Sequence, residues 1–191
     1  MGLTQVLGEK IYTCRLTMRR ISEDDLPLIL KWSNSEEAFG PYLTPERYTP
    51  KRLNEQFAGG ALWRNGDKTF FIEKRECATP IGTIHYWQRQ TQPDTAMLAV
   101  KIAEPAQRDK GYGTEAQKFL IIHLFEQAGI KNVEMVTDIN NAAQQRCLSK
   151  LGFTIIDSQT YDDHQVVRTG YLFQLGYQDY QQKAIYRFHY E

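Results

Sequence analysis

The segment Gln107–Ala116 reads QRDKGYGTEA and places two glycines, Gly111 and Gly113, directly before an apolar helical pattern. Glycine allows a ligand to approach the backbone closely, and a helix N-terminus offers N–H groups with partial positive charge. Arg108 and Lys110 add formal positive charge to the same turn. The segment therefore predicts a backbone cradle for an anion such as a pyrophosphate, with a simple tight turn before a helix as the alternative.

The sequence on either side of this turn predicts a buried strand and a helix. Ala96–Ile102 (AMLAVKI) is almost wholly apolar, which is typical of a central strand that is buried on both faces. From Thr114 onward apolar residues recur at helical spacing, and Gly129 is placed to end that helix. The glycines match neither the G-x-G-x-x-G of dinucleotide-binding folds nor the P-loop pattern, so a nucleotide-binding protein is disfavoured.

The rest of the chain predicts a mixed sheet with helices on its faces. Alternating or apolar runs indicate strands, and cap residues followed by helical spacing indicate helices. The further strands expected are 14–21, 69–74, 81–89, 133–137, 153–157 and 167–175, and the further helices begin at Ser22 and at Asn140 or Asn141. Residues 33–60 contain glycines and prolines that are typical of short helices and loops covering another surface.

Composition limits the kinds of partner to expect. The 191 residues are most simply one domain, 1–191, with a core at about 14–176. Lys plus Arg and Asp plus Glu balance at 23 each, so neither nucleic acid nor an acidic membrane is a favoured partner. Three scattered cysteines without zinc spacing indicate reduced thiols and no metal site. Because the N-terminus lacks an apolar core and no long apolar run follows, we expect a cytoplasmic, unprocessed protein.

Two motifs resemble a known family. Residues 102–153 (IAEPAQRDKGYGTEAQKFLIIHLFEQAGIKNVEMVTDINNAAQQRCLSKLGF) resemble the core of the GNAT acetyltransferases, with their [QR]-x-x-G-x-[GA] turn and a downstream N-x-x-[SA]-x-x-x-[YL]-x-K-x-G-F segment. Residues 15–38 (RLTMRRISEDDLPLILKWSNSEEA) resemble the start of the ribosomal-protein alanine N-acetyltransferase (Rim) branch. The resemblance implies an α/β (α+β) GNAT fold, whose mixed, mostly antiparallel sheet is splayed in a V with helices on both faces, and acetyl-CoA as acetyl donor.

The resemblance also implies where the donor lies. Its pyrophosphate would contact backbone amides of the glycine turn, and its pantetheine arm would run beside the preceding strand. An asparagine downstream would lie near it, with a helix cap as the alternative role of that side chain. The residues so implied are Ile102, Ala103, Arg108, Asp109, Lys110, Gly111, Tyr112, Gly113, Thr114 and Asn141.

The chain departs from the family at two positions that concern proton transfer. Many members have a tyrosine, proposed to protonate the leaving thiolate, where this chain has Leu148, and members with a catalytic base often have a glutamate where it has Leu98. The remaining candidate base is His85, in a strand that could border the cleft, with an ordinary structural histidine as the alternative. His123 is expected to pack on the apolar face of its helix, and Cys147 to be a small buried residue rather than a nucleophile.

The expected reaction is direct transfer of an acetyl group to a primary amine of a small molecule or peptide. Trp32, Glu36 and Glu37, with Glu46, are candidates for binding a cationic substrate, unless the glutamates only form a solvated surface. Since no strong base is evident, an α-amine, which loses its proton more readily than a lysine or polyamine amine, is the favoured acceptor. The alternatives are an acetyltransferase for polyamines or aminoglycosides and a catalytically silent acetyl-CoA-binding regulatory module.

The sequence allows alternatives for the oligomeric state and for the role of the C-terminal segment. A homodimer is one alternative for the oligomeric state. Residues 177–191 could close the substrate pocket or form a dimer interface.

Overall fold

A nine-stranded sheet runs through the centre of the computed structural model, which describes residues 10–187. The strand order is β1-β2-β4-β5-β6-β7-β9-β8, and the short β3 pairs with β4. The strands are β1 Lys10–Tyr12, β2 Leu16–Arg20, β3 Trp63–Arg64, β4 Asp67–Lys74, β5 Pro80–Arg89, β6 Gln92–Ile102, β7 Asn132–Asp138, β8 Thr154–Asp163 and β9 Val166–Gly176. The α-helices are α1 Leu26–Ser33, α2 Glu36–Phe39, α3 Pro50–Ala58, α4 Tyr112–Glu126, α5 Ala142–Lys150 and α6 Tyr177–Gln182.

The sheet opens between β6 and β7, its only parallel neighbours among the described strands. These strands pair from Thr95 opposite Asn132 to Met97 opposite Glu134, and then separate. Beyond that point β6 continues to Ile102 and β7 to Asp138 without pairing to each other. All the other strand pairs are antiparallel. The predicted mixed, mostly antiparallel sheet splayed in a V is therefore confirmed.

Helices pack on both faces of the sheet because each has one apolar stripe to bury. On one face α4 buries Ala116, Leu120 and Leu124, at the helical spacing that the sequence shows. On the other face α1, α2 and α3 form a cover over one end of the sheet, where Trp32 packs on Phe71 with ring centroids 5.6 Å apart. None of the helices within residues 10–187 is long and apolar enough to cross a membrane.

A charged cluster at the end of β2 fixes the turn that leads from the sheet into α1, the first helix of the cover. Arg19 forms ion pairs with Asp25, at 2.7 Å, and with Glu73. Asp25 also accepts hydrogen bonds from the backbone and hydroxyl of Ser22. Burial alone would raise the pKa of Asp25, but the hydrogen bonds from Arg19 and Ser22 hold it below its ordinary value. The charged turn therefore anchors the start of α1 to the sheet.

Two features differ from the sequence expectations, and a third concerns the C-terminal segment, whose role the sequence leaves open. The strands β1 and β3 are too short to show a periodic pattern and were not expected. The hairpin β8–β9 extends to Asp163 and Val166, past the predicted strand ends, because most of its side chains there are exposed and give no apolar alternation. The described part of the C-terminal segment packs on the core, where the Tyr186 hydroxyl donates to the carbonyl of Leu151. Residues 188–191 lie outside the described residues.

Candidate active site

Two adjoining cavities follow the open half of the V. The smaller, about 340 Å³, lies against the glycine turn at the start of α4 and is called the glycine groove below. The larger, about 600 Å³, lies between the sheet, the cover and the β8–β9 hairpin and is called the acidic cavity. Both are lined by Phe39, Val100, Lys101, Asn141 and Gln144, so the two spaces meet along the end of β6.

The backbone of the glycine turn begins a helix at the edge of the groove. Gly111 is the N-cap of α4 and has φ +80°, a left-handed conformation that favours glycine. The first N–H groups of a helix have no partner within the helix. Tyr112, Gly113 and Thr114 form that first turn and line the groove. The predicted start of a helix directly after the glycines is thus present, and the binding of an anion there stays a prediction.

Gly113 shows that the groove has room for a ligand. A Cβ built at this position meets only Cγ1 of Ile102, at 3.7 Å, which is ordinary van der Waals contact. No neighbouring protein atom therefore requires glycine here, and the space beside it belongs to the groove. An anion with several oxygens, such as a pyrophosphate, fits a cradle of this kind because the amides and the helix dipole both favour negative charge.

Arg108 has a structural role that its sequence position did not reveal. Its Nε donates to the carbonyl of Ile102 at 2.9 Å, and its Nη2 donates to the carbonyls of Glu37 and Ala38 at 2.7 and 2.9 Å. The guanidinium therefore joins the end of β6 to α2 across the groove that it lines. On the outer side of the turn, Arg15 donates to the carbonyl of Lys110 at 2.9 Å. Both arginines hold the shape of the turn.

Most of the residues expected at the donor site border the groove, but two do not. The residues that line it are Ile102, Arg108, Asp109, Gly111, Tyr112, Gly113, Thr114 and Asn141. Ala103 is buried in the core cluster under the cover, and Lys110 lies outside the lining. Asn141 caps α5 by accepting from the Gln144 N–H at 3.1 Å and borders both cavities. Its cap role is thus present, and its contact with a cofactor stays a prediction.

The positions where the family often has an acid and a base carry apolar side chains in apolar surroundings. Leu98 lies where β6 leaves β7 and lines the acidic cavity. Leu148 is fully buried in the core and outside the lining of both cavities. Cys147 lies on the groove beside the Thr114 hydroxyl, at 3.1 Å, and burial raises the pKa of its thiol. The two leucines offer no proton donor or acceptor, and the raised pKa keeps the Cys147 thiol protonated at neutral pH.

The floor of the acidic cavity is one face of β4, β5 and β6. Cross-strand register places His85 between Thr69 and Ala99, and Thr83 opposite Lys101, so these side chains share a face. The Nε2 of His85 lies 2.7 Å from Oδ1 of Asp67, and its ring stacks on Trp87. Asp67 holds this imidazole by one nitrogen, which leaves the other nitrogen for a further partner.

Carboxylates predominate among the charged side chains of the cavity. Four line it, namely Glu46, Asp67, Asp138 and Asp163, against one lysine, Lys101. The Nζ of Lys101 lies 3.7 Å from Oε2 of Glu46 and 3.7 Å from the ring centroid of Phe39. Burial lowers the pKa of Lys101, although Glu46 opposes that shift. The cavity therefore suits a cationic ligand better than an anionic one.

The residues expected to bind the acceptor are divided between cavity and surface. Trp32 lines the acidic cavity, and its Nε1 donates to Glu104 at 2.8 Å. Glu46 lines the same cavity. Glu36 forms an exposed ion pair with Arg47, and Glu37 offers its carbonyl to Arg108, as described above. Neither Glu36 nor Glu37 lines either cavity, in agreement with the alternative of a solvated surface.

Arg168 on β9 connects the cover to the far wall of the acidic cavity. Its Nε donates to Asp163 at 2.8 Å, its Nη2 donates to the hydroxyl of Thr44 at 3.1 Å, and its Nη1 lies 3.6 Å from Asp138. The backbone N–H of Thr44 donates to the same Asp163 carboxylate at 2.8 Å. This cluster is not among the sequence predictions because its members come from three distant segments, although an aspartate ending β7 just before a helix cap was a usable signal.

Replacing Arg168 with methionine is expected to lower stability by about 2 kcal/mol, because two largely buried carboxylates lose their cation. For a chain of this size that corresponds to a fall in Tm of roughly 4–8 °C. A small polycation such as spermidine should restore part of the lost Tm by replacing the missing charge. Thermal melting with and without the ligand measures both effects.

The matched control for this variant is Arg47→Met. It breaks an arginine–glutamate pair whose side chains are 62% and 72% exposed, against 16% and 15% for Arg168 and Asp163. Exposed pairs contribute little, so its Tm should change by at most a few degrees, about 1 kcal/mol or less. Equal losses in the two variants would contradict the buried role of Arg168.

Comparison with known proteins gives one family and several relatives. The acetyltransferase (GNAT) domain model matches residues 15–154. The aminoglycoside N(6')-acetyltransferases type 1 of Klebsiella pneumoniae and Serratia marcescens are each 25% identical over 151 residues, which is 72% of this chain and 73% of theirs.

Among solved structures, a provisionally assigned ribosomal-protein-serine acetyltransferase from Vibrio cholerae superposes with a TM-score of 0.68 at 21% identity, covering 87% of this chain and 97% of that one. The aminoglycoside acetyltransferase AAC(6')-Ib in complex with coenzyme A gives 0.70 at 20% identity, covering 88% and 98%. At these identities the structural likeness establishes the fold.

Proposed function

Because this chain belongs to the GNAT acetyltransferase family, we propose that the glycine groove holds the coenzyme A part of acetyl-CoA and that the acidic cavity holds a cationic primary amine. The observation that carries the proposal is the meeting of the two spaces along the end of β6. One space ends at a helix N-terminus and favours an anion, and the other is lined by carboxylates and favours a cation. Their junction is where an acetyl group would pass from donor to acceptor.

Each part of the groove would have a distinct task in holding the donor. The amides of Tyr112, Gly113 and Thr114 would bind the pyrophosphate, and the open backbone of Gly113 would allow its oxygens close approach. The part of β6 that separates from β7 offers backbone groups to an extended arm, up to the Ile102 carbonyl that accepts from Arg108. When bound, acetyl-CoA supplies a thioester, an acyl group that is activated toward attack by an amine.

The acceptor needs a group that takes its proton, since only a neutral amine can attack. His85 on the cavity floor is the candidate for this step, and Asp67 is the positioning residue that fixes its ring. With Nε2–H donated to Asp67, the Nδ1 atom is free to accept a proton. A histidine–carboxylate pair of this kind would replace the base that the chain lacks at Leu98.

An amine with several positive charges, of the aminoglycoside class, is the acceptor that we favour. Four carboxylates line the cavity, and after the cations Lys101 and Arg168 are counted against them two net negative charges remain, more than a single ammonium group requires. The volume of about 600 Å³ lies in the range of sites for small molecules, roughly 300–1,000 Å³. The curated relatives are aminoglycoside N(6')-acetyltransferases. Together these observations favour a compact polycation over an extended chain.

An α-amino group is the second candidate, and the absence of a carboxylate base at Leu98 favours it. Presenting a lysine-type amine in neutral form at pH 7 costs about 4–5 kcal/mol, whereas an α-amine costs only about 1–1.4 kcal/mol. A peptide N-terminus would need one carboxylate rather than four. Under this second candidate kcat/KM should rise with pH and level off near the α-amine pKa of about 7.7–8.0.

A competition assay separates the candidates. Kanamycin, spermidine, glucosamine and a peptide with an N-terminal alanine are supplied together with acetyl-CoA, and products are measured by mass spectrometry while thiol release gives the rate. We expect kanamycin to be acetylated with a kcat/KM at least about 10-fold above that of the peptide, and its advantage to shrink at high salt because screening weakens exposed charge attraction.

Each alternative outcome has a distinct meaning. Preference for the peptide would replace the first candidate with the second. Preference for glucosamine, which has one amine, would contradict the argument from the number of carboxylates. Tight coenzyme A binding with no thiol release across a broad amine panel would instead indicate the catalytically silent binding module.

A further inference from the structure

Lys101 places a primary amine at the junction of the two cavities. It is the one lysine within residues 10–187 that lines both of them. Its side chain is only 14% exposed, and its Nζ lies over the Phe39 ring and 3.7 Å from Glu46, as described above. The amine therefore stays inside the site rather than extending into solvent.

The contacts of this amine are loose for a buried ion pair. A charged hydrogen bond usually has a separation of about 2.7–2.9 Å, so the 3.7 Å between Lys101 and Glu46 is a weak restraint. Burial lowers the pKa of Lys101, which increases the fraction of neutral, nucleophilic amine. A lysine in these surroundings has the chemical character of the acceptor that the enzyme is built to use.

Attachment to β6 also gives this amine an advantage over an acceptor in solution. A reacting group held in the same site as its partner acts at a high effective concentration, which reaches about 10⁵ M or more in well-oriented cases. Val100, Lys101 and Ile102 all border the groove proposed for the donor. No second molecule needs to diffuse into the cavity for this amine to meet a thioester there.

We propose that Lys101 is a self-acetylation site, modified from acetyl-CoA when the acidic cavity holds no acceptor. The neutral Nζ forms an amide bond with the acetyl carbonyl carbon as the carbon–sulfur bond breaks. The departing thiolate takes one proton of the former ammonium group, and the other passes to Glu46 or solvent. The products are N-acetyl-lysine and the free thiol of coenzyme A. This inference rests on the proposed position of coenzyme A in the glycine groove.

Self-acetylation would change the charge of the acceptor site. The modified side chain is neutral, so Glu46 and the Phe39 ring both lose the cation that they contact in the unmodified protein. The cavity then contains four carboxylates and no lysine charge. When the concentration of acetyl-CoA is high and that of the acceptor is low, the modification would accumulate and the acceptor site would carry more negative charge.

The test is the rate of acetylation at Lys101 in the whole protein. Purified protein is incubated with saturating acetyl-CoA and no acceptor, and acetyl groups are located by intact mass and peptide mapping. The acetylation rate at Lys51, whose side chain is 85% exposed, gives the background rate of uncatalysed acetylation by acetyl-CoA. We expect Lys101 to be acetylated at least about 10-fold faster than Lys51 despite its burial, and an added acceptor to slow Lys101 alone.

Variants and a binding measurement separate the possible failures. Gly113→Asp should reduce the Lys101 rate to that of Lys51, Arg47→Met, which lies outside both cavities, should retain it, and Lys101→Arg should remove the site. Equal rates at the two lysines, or an unchanged Lys101 rate in Gly113→Asp, would overturn the inference. If calorimetry shows coenzyme A binding and an acceptor is turned over while Lys101 stays unmodified, only this inference fails. If coenzyme A does not bind, the proposed function fails with it.

Discussion

Replacing Gly113 with aspartate is expected to weaken coenzyme A binding by at least about 100-fold, or about 2.7 kcal/mol, while leaving the fold intact. Gly113 is the second residue of α4, so the new carboxylate would lie on the N–H groups of the first helical turn. There it stabilises the helix by about 0.3–1 kcal/mol through the dipole. The same carboxylate occupies the cradle and repels a pyrophosphate. Calorimetry measures the affinity, and thermal melting measures the fold.

Alanine at the same position is the matched control. It adds a Cβ with an ordinary 3.7 Å contact to Ile102 and no charge, so coenzyme A should bind within a few-fold of the unmodified protein. Gly111 is a poorer choice for this experiment, because its φ of +80° would strain any residue with a side chain. A loss of coenzyme A binding in such a variant could then result from distortion of the turn alone. If the aspartate variant binds coenzyme A normally, the pyrophosphate does not lie on this turn.

The sequence predicted the glycine turn because its parts are adjacent in the chain. The buried strand, the glycines and the helix start follow one another within about twenty residues, and each has a local signature. The role of Arg108 could not be read in the same way. Its positive charge suggested a phosphate contact, but in the fold it donates hydrogen bonds to three carbonyls at the end of β6 and in α2.

The acidic cavity was largely beyond the reach of the sequence because it depends on distant pairing. Asp67 meets His85 only through the register of β4 on β5, and Lys101 joins the same floor through β5 on β6. A one-residue shift in either register would turn these side chains to the opposite face. The hairpin that carries Arg168 was equally difficult to predict, since its exposed strands lack apolar alternation.

The second large effect concerns proton transfer on the cavity floor. His85→Gln is expected to lower kcat by roughly 100-fold, within the range for loss of a general base. Glutamine can still donate a hydrogen bond to Asp67, but it has no nitrogen that accepts a proton. Asp67→Asn should lower kcat by a similar factor, because the imidazole loses the negative charge that fixes its tautomer and stabilises its protonated form. Steady-state kinetics with the acceptor found by competition measures both variants.

The double variant distinguishes a working pair from two independent residues. If His85 accepts the proton and Asp67 acts only through it, the two losses should not add, and the double variant should be no slower than the worse single one. Additive losses would mean that Asp67 binds the acceptor directly, and no loss in His85→Gln would mean that solvent takes the proton.

His123→Gln is the control for changing a histidine. This residue packs edge-on against Phe70, lies outside both cavities, and has its pKa lowered by burial. Its replacement should change stability but leave kcat unchanged. Because His85 and Asp67 are 36% and 42% exposed, their variants should melt close to the unmodified protein, so a fall in kcat there reports chemistry rather than unfolding.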